Sequence, residues 1–368
     1  MRVLVDYRAA LRERSGVGEY THQLVAALLR RVASNGARAT LDLWIFSSSW
    51  KDRLVVPAEL AGVHAVDRRV PVSVLNFAWH RLGWPPAERL AGADFDVTHA
   101  LHPLMLPSRH AAPMITIHDL TFLTHPERTR AEIRRDYPAL VREHAHRAAR
   151  ILTISEFTAG EIVARLGVSR DKITVGYPGA PPWTPIAQPP KDGYVLFLGT
   201  LEPRKNVGGL LDAYTKLVNP PPLVLAGKAT EEAREWLARI ERPPLTGLVR
   251  HVGYVEPDRR CELYAGARLL VQPSFEEGFG MPVLEAMTLG IPVVAANRGA
   301  LPEVLGDAGL LVDPERPAEI ADAIQRMLSD AALADGCRER GLARARAFNW
   351  DETAALVHDA YRLACASA

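Results

Sequence analysis

Short runs of apolar residues recur along the whole chain, separated by stretches with helical spacing. The first half contains Arg2–Asp6, Leu41–Phe46, Phe95–His99, Met114–His118, Ile151–Ile154 and Ile173–Val175. The second contains Tyr194–Leu198, Leu223–Ala226, Leu248–Val252, Leu269–Gln272, Pro292–Ala295 and Leu310–Val312. These runs are continuously apolar rather than alternating, which is the pattern of strands covered on both faces. Tyr20–Val32, Arg130–Ala149, Ala159–Leu166, Ala318–Met327 and Asp351–Ala364 read as helices between or after them. The alternation predicts parallel sheets in α/β layers, twice over. A Pro-rich break, Tyr177-Pro178-Gly179-Ala180-Pro181-Pro182-Trp183-Thr184-Pro185 and then Pro189-Pro190, suits neither helix nor sheet interior. Two domains are therefore expected, 1–184 and 185–349. A closing helix follows, 350–368, with Asn349 as its N-cap and Glu352 completing a capping box.

Composition narrows the class. With 368 residues, 48% hydrophobic and 24% charged, the chain is sized for two soluble globular domains. A formal net charge of +1 gives no general pull toward nucleic acid. Cys261, Cys337 and Cys365 lie far apart and form no metal spacing, which points to a reduced, cytoplasmic setting. The first apolar run is too short for a leader and reads as a strand, and no run approaches the length of a membrane span.

The densest chemistry lies in Ser274-Phe275-Glu276-Glu277-Gly278-Phe279-Gly280-Met281-Pro282-Val283-Leu284-Glu285. It follows a buried-strand run and precedes a helix opening at Pro282, where a missing N–H costs nothing. Two glycines allow close backbone approach to a ligand. Glu277 and Glu285 offer carboxylates to hydroxyl groups, and the helix N-terminus favours phosphate. Gly199-Thr200-Leu201-Glu202-Pro203-Arg204-Lys205-Asn206 ends the second half's first strand run, with Asn206 as a helix N-cap. Adjacent cations at such a mouth suit a diphosphate, Arg204 by bidentate contact and Lys205 as a point charge. Ser15-Gly16-Val17-Gly18-Glu19-Tyr20-Thr21 is a glycine-bearing turn after the first strand, without the full dinucleotide fingerprint. Ile117-His118-Asp119-Leu120 closes another strand, and Val252-Gly253-Tyr254-Val255-Glu256 a third.

The element Glu277 to Glu285 resembles the E-x7-E element of the retaining glycosyltransferases of family four, which adopt the GT-B fold. The likeness continues through Gly278-Phe279-Gly280, Pro282, Glu285-Ala286-Met287, Gly290-Ile291-Pro292-Val293-Val294-Ala295 and Ala300-Leu301-Pro302-Glu303-Val304. It implies two Rossmann-like domains with parallel sheets facing a central cleft, the last helix crossing back to the N-terminal, acceptor-side domain. It further implies that Arg204 and Lys205 bind the donor diphosphate and that Glu285 holds the ribose. Glu277, with the backbone of Phe279, Gly280 and Met281, would position sugar hydroxyls. Gly16 would approach the donor phosphate, and His118 would lie beside the donor sugar, able to donate a hydrogen bond or stabilise charge. Tyr254 and Val255 would border the base through backbone atoms.

The implied reaction moves a hexose with retention from a nucleoside diphosphate sugar to a glycan or lipid-linked acceptor in polysaccharide biosynthesis. Mannose from GDP-mannose is the first candidate, and no metal or other cofactor is expected. Same-face return is preferred to double displacement. The alternatives are a GT-B sugar-nucleotide epimerase and a catalytically idle sugar-nucleotide-binding protein. Two further surfaces are candidates. Trp50, Trp79 and Trp84, with Phe77 and His80, offer aromatic faces to an acceptor but equally suit a core. Arg128, Arg130, Arg134, Arg135, Arg142, Arg147 and Arg150 make a basic stretch for peripheral contact with the inner membrane surface, or a solvated helix. Arg204 and Lys205 are expected to be exposed in an empty site.

Overall fold

The computed structural model describes residues 1–11, 14, 16–34, 41–126 and 137–366. The chain divides into two compact units, Met1–Gly179 with Asn349–Ala368, and Ala180–Phe348. The first holds a parallel sheet of seven strands: β1 (Arg2–Asp6), β2 (Asp42–Ser48), β3 (His64–Arg68), β4 (Val97–Ala100), β5 (Ala112–Ile117), β6 (Arg150–Thr153) and β7 (Ile173–Val175). Their order across the sheet is β3-β2-β1-β4-β5-β6-β7. The second unit holds a parallel sheet of six: β8 (Tyr194–Leu198), β9 (Leu223–Ala226), β10 (Val249–Gly253), β11 (Ala267–Gln272), β12 (Val293–Ala296) and β13 (Leu310–Val312). Their order is β10-β9-β8-β11-β12-β13.

The apolar runs become strands because helices cover both sheet faces. Val3, Leu4 and Val5 in β1, Val195, Leu196 and Phe197 in β8, and Leu269, Leu270 and Val271 in β11 are fully buried. Each buried aliphatic or aromatic side chain contributes about 1.5–3 kcal/mol of transfer free energy. One strand lacks the signal. In β3 only Val66 is buried, because β3 is an edge strand pairing with β2 alone, so no apolar run announces it.

The helices sit close to where the sequence places them. Val17–Ser34 follows β1, and Tyr137–Arg147 precedes β6. Ser155 caps Glu156–Glu161, its side chain accepting from the Thr158 amide, and a π-helical turn, Ile162–Leu166, completes that segment. Arg128, Arg130, Arg134 and Arg135 lie outside the described residues. The last helix, Trp350–Ala366, starts where Asn349 Oδ1 accepts from the Asp351 amide at 2.8 Å. It packs on Val17–Ser34 within the first unit. No helix of the described residues is long and apolar enough to cross a membrane.

A buried histidine ties that helix to the sheet. His99, in β4, is fully buried; Nδ1 bonds the Tyr361 hydroxyl at 2.8 Å and Nε2 bonds Thr116 Oγ1 at 2.9 Å. Burial, with neighbouring His118 and His102, pushes its pKa down from 6.5 to about 3. The unfolded chain therefore takes up this proton first, and stability falls as pH drops below about 6.5. At pH 5 the loss from one such group is about 2 kcal/mol. Denaturant titrations between pH 7 and 5 should show that slope, reduced in His99→Gln.

Candidate functional site

In an open parallel sheet, ligands gather at the carboxyl ends of the two strands where the order reverses. In the second unit those strands are β8 and β11. The chain leaving β8 forms a short 3₁₀ turn, Pro203–Lys205. It then passes through Asn206, whose positive φ of 57° is stabilised by its own side chain. Asn206 Oδ1 accepts from the Gly209 amide, capping the helix Val207–Tyr214, while Nδ2 donates to the carbonyls of Pro273 and Pro314. The Phe275 amide also donates to the Arg204 carbonyl at 2.9 Å. One asparagine and one backbone bond thus lock the loop after β8 to the loop after β11.

That lock brings Arg204, Lys205 and Glu277 together. Lys205 Nζ lies 2.6 Å from Glu277 Oε1, which also accepts from Ser274 Oγ at 2.8 Å and Gln272 Nε2 at 3.1 Å. Arg204 Nη1 reaches Glu277 Oε2 at 3.4 Å and the Glu276 carbonyl at 3.2 Å, and its Nε donates to Glu202 Oε1 at 3.0 Å. Burial pushes the Glu277 carboxyl up, but Lys205 and Arg204 outweigh it and hold the pKa at about 2. Burial and Arg204 lower the Lys205 pKa against the pull of Glu277. The expectation of two exposed cations is therefore corrected. Lys205 is 8% exposed and Arg204 half-buried, because a buried carboxylate without counter-charges would be costly.

The loop continues to the helix Met281–Leu289. Gly280, at φ 99°, opens it, and a Cβ there would meet Leu301 Cδ2 at 2.5 Å. Gly299, at φ 60°, lies so close that a Cβ would sit 2.6 Å from the Glu277 carbonyl oxygen. These two positions require glycine and fix the backbone around Glu277. The Phe279 ring is buried edge-on against Phe348 at 5.5 Å, and Met281 is the first helical residue. Glu285 is 6% exposed and faces the helix Pro257–Ala265. Its Oε2 accepts from the Tyr264 hydroxyl at 2.7 Å, and Oε1 lies 3.5 Å from Arg260 Nη1. Tyr264 and Arg260 were not singled out from sequence; no spacing reveals them, since they reach Glu285 from a separate helix, whereas Gln272 and Ser274 stand a few residues before Glu277 and Glu202 bonds Arg204. Tyr254 and Val255 follow β10 and are half-buried; the Gly227 amide donates to the Gly253 carbonyl just before them.

In the first unit, Gly16 has φ 51° and its carbonyl accepts from the Tyr20 amide as the helix begins. Tyr20 packs edge-on against His118 at 5.2 Å, so the turn and the end of β5 meet through that ring. His118 Nε2 donates to the Leu101 carbonyl at 3.1 Å. Burial pushes its pKa down to about 4, partly offset by Leu101 and Asp119. The ring is neutral at pH 7 with its one proton spent on Leu101, so Nδ1 can only accept. Asp119 Oδ1 accepts from the Thr121 amide, a local turn contact.

The aromatic candidates separate. Trp79 is buried, 3% exposed, under Arg8 and beside Phe46, whereas Trp50, Phe77 and Trp84 are 65%, 62% and 54% exposed. Among the described residues no group of three or more His, Cys, Asp or Glu is placed to hold a metal ion.

Residues 14–182 match the family profile "Glycosyltransferase Family 4" and residues 185–344 match "Glycosyl transferases group 1". The chain is 37% identical over 274 residues to the O-antigen chain mannosyltransferase B of Escherichia coli, covering 70% of this chain and 72% of that protein. Its fold is similar to that of a sucrose-phosphate synthase from Thermosynechococcus elongatus, with TM-score 0.82, 21% identity and full coverage of both chains. It is also similar to HepE of Anabaena, solved with UDP and glucose, at TM-score 0.70 and 17% identity over 98% of each chain. Two parallel α/β units, the matching profiles and the Escherichia coli relative agree: the chain belongs to the family four, group 1 glycosyltransferases and has the GT-B fold.

Proposed function

We propose that this glycosyltransferase moves mannose, with GDP-mannose as donor, to a hydroxyl of a glycan or lipid-linked acceptor, with retention at the anomeric carbon. The observation that carries the reading is the Arg204–Lys205–Glu277 cluster at the carboxyl ends of β8 and β11. Lys205 and Arg204 are held in place before any ligand arrives, so charge developing on a leaving diphosphate meets cations that need no reorganisation. Glu285 takes the ribose hydroxyls as a charged acceptor whose geometry Tyr264 fixes. Glu277 both orients Lys205 and presents its carboxylate toward sugar hydroxyls, with the Phe279–Met281 backbone alongside. Within the second unit, Tyr254 and Val255 border the base.

The name of the Escherichia coli relative supports mannose and an O-antigen-like product. The Anabaena structure, solved with UDP and glucose, supports a nucleotide-sugar donor for the fold. In this reading Arg204 and Lys205 carry the leaving group and no metal is required. The site of action is the cytoplasmic membrane face. Exposed Phe77, Leu82 and Trp84, with Arg81 in the same stretch and Arg89 over the Trp84 ring at 5.3 Å, support peripheral contact there.

A panel of nucleotide sugars, scored by thermal shift and slow hydrolysis, tests the donor. GDP-mannose should raise Tm most and release GDP. A larger response to a UDP-sugar would overturn GDP-mannose, and no response to any would overturn the transferase reading.

A further inference from the structure

The four charged side chains Glu202, Arg204, Lys205 and Glu277, in the loops after β8 and β11, are unequally placed. Lys205 and Glu277 form the buried half, with side chains 10% and 7% exposed. Arg204 and Glu202 form the outer half, at 22% and 27%. Glu202 opens the 3₁₀ turn Pro203–Lys205, yet its carboxylate makes no capping bond to that turn. It meets Arg204 instead: Oε1 accepts from Nε at 3.0 Å and lies 2.9 Å from Nη2. One oxygen thus bridges the Nε–Nη2 edge of the guanidinium. The remaining nitrogen, Nη1, donates to the Glu276 carbonyl at 3.2 Å and reaches Glu277 Oε2 at 3.4 Å.

The two sides of Arg204 therefore have different jobs. Nη1 ties the side chain to the loop after β11, where its loss would strip donors from a buried carboxylate. The Nε–Nη2 edge is met by a carboxylate that is itself partly exposed, and such a pair is cheap to break because water takes over the released charge. That edge is also one on which a guanidinium receives a phosphate through two parallel N–H bonds. Charge points the same way. The four side chains are two cations against two carboxylates. A diphosphate that reaches Arg204 while Glu202 stays in place meets a like charge a few ångströms away.

We propose that Glu202 is a built-in competitor of the diphosphate: it holds the Nε–Nη2 edge of Arg204, gives it up when a diphosphate binds, and takes it back as the nucleoside diphosphate product leaves. This rests on the transferase reading above for its place in turnover, though not for the competition itself. Arg204 stays on Glu276 and Glu277 throughout, so the cation remains preorganised and only the carboxylate moves.

Calorimetry on the whole chain, with GDP and inorganic pyrophosphate as probes, tests this. Glu202→Gln keeps the side chain's shape and removes its charge; Glu202→Ala removes the competing group altogether. Each variant should bind both probes about threefold to tenfold more tightly than the wild type, the scale of one partly exposed ion pair and one like charge removed. In transfer assays, inhibition by GDP should sharpen by the same factor. The sign separates this role from a structural one, since a carboxylate needed to hold Arg204 in place would weaken binding when lost. Pyrophosphate binding that is equal or weaker in both variants overturns the competitor. Tighter pyrophosphate binding in a protein that transfers from no nucleotide sugar rejects the transferase reading and leaves the competitor supported by its own measurement. A wild type that binds neither probe overturns both.

Discussion

Lys205→Met should lower kcat/KM by a factor on the order of 10²–10³, the effect of losing one preorganised electrostatic group at a leaving diphosphate. It should also destabilise the second unit, which an exposed lysine would not do. Removing one partner of a buried ion pair costs about 3–5 kcal/mol, because the other charge stays buried. Here the lower end is expected, since Ser274, Gln272 and Arg204 still serve Glu277. The double variant Lys205→Met/Glu277→Gln should regain most of that stability while activity stays lost. Recovery of both would show that the pair is only structural, and recovery of neither that the stability argument is wrong. Acid behaviour gives an independent check. The Glu277 pKa is about 2 in the folded chain against an ordinary 4.5. Its contribution is therefore present above pH 4.5 and lost as pH falls toward 2. Lys205→Met should flatten that limb of the stability profile.

Glu285→Ala should weaken binding of free GDP by about 1.5–3 kcal/mol, the range for hydrogen bonds to a charged group. Calorimetry reads this directly. Tyr264→Phe removes the hydroxyl that fixes Glu285 Oε2 and should weaken GDP by a smaller factor, with kcat unchanged. Separating the two glutamates into a ribose ligand and a sugar ligand from sequence alone predicts intact GDP binding in Glu277→Ala. The structure alters that expectation: Glu277 also holds Lys205, so its loss should disturb the diphosphate as well as the sugar. A Glu285 variant that binds GDP as tightly as the wild type would remove the ribose assignment.

The sheets were legible because a strand covered on both faces must be apolar throughout, as Val195–Phe197 and Leu269–Val271 are. β3 was not, because an edge strand with only Val66 buried carries no such run. Within the site, Arg204, Lys205, Glu277 and Glu285 could be read from two contiguous motifs. The burial of Lys205 and Glu277 could not, since the two loops are joined by Asn206 bonding carbonyls 67 and 108 residues away. The same limit hid Tyr264 behind Glu285. His118 shows a different limit: its residue type was visible, but its proton's location depends on the Leu101 carbonyl.

The most direct test of the proposed reaction is the anomeric configuration of the product formed from GDP-α-mannose, read by NMR coupling at the anomeric carbon, with and without excess EDTA. An α-linked product formed at an undiminished rate in EDTA is predicted, with Arg204 and Lys205 carrying the leaving diphosphate. A β-linked product, or loss of activity in EDTA with rescue by Mg²⁺ or Mn²⁺, would contradict it.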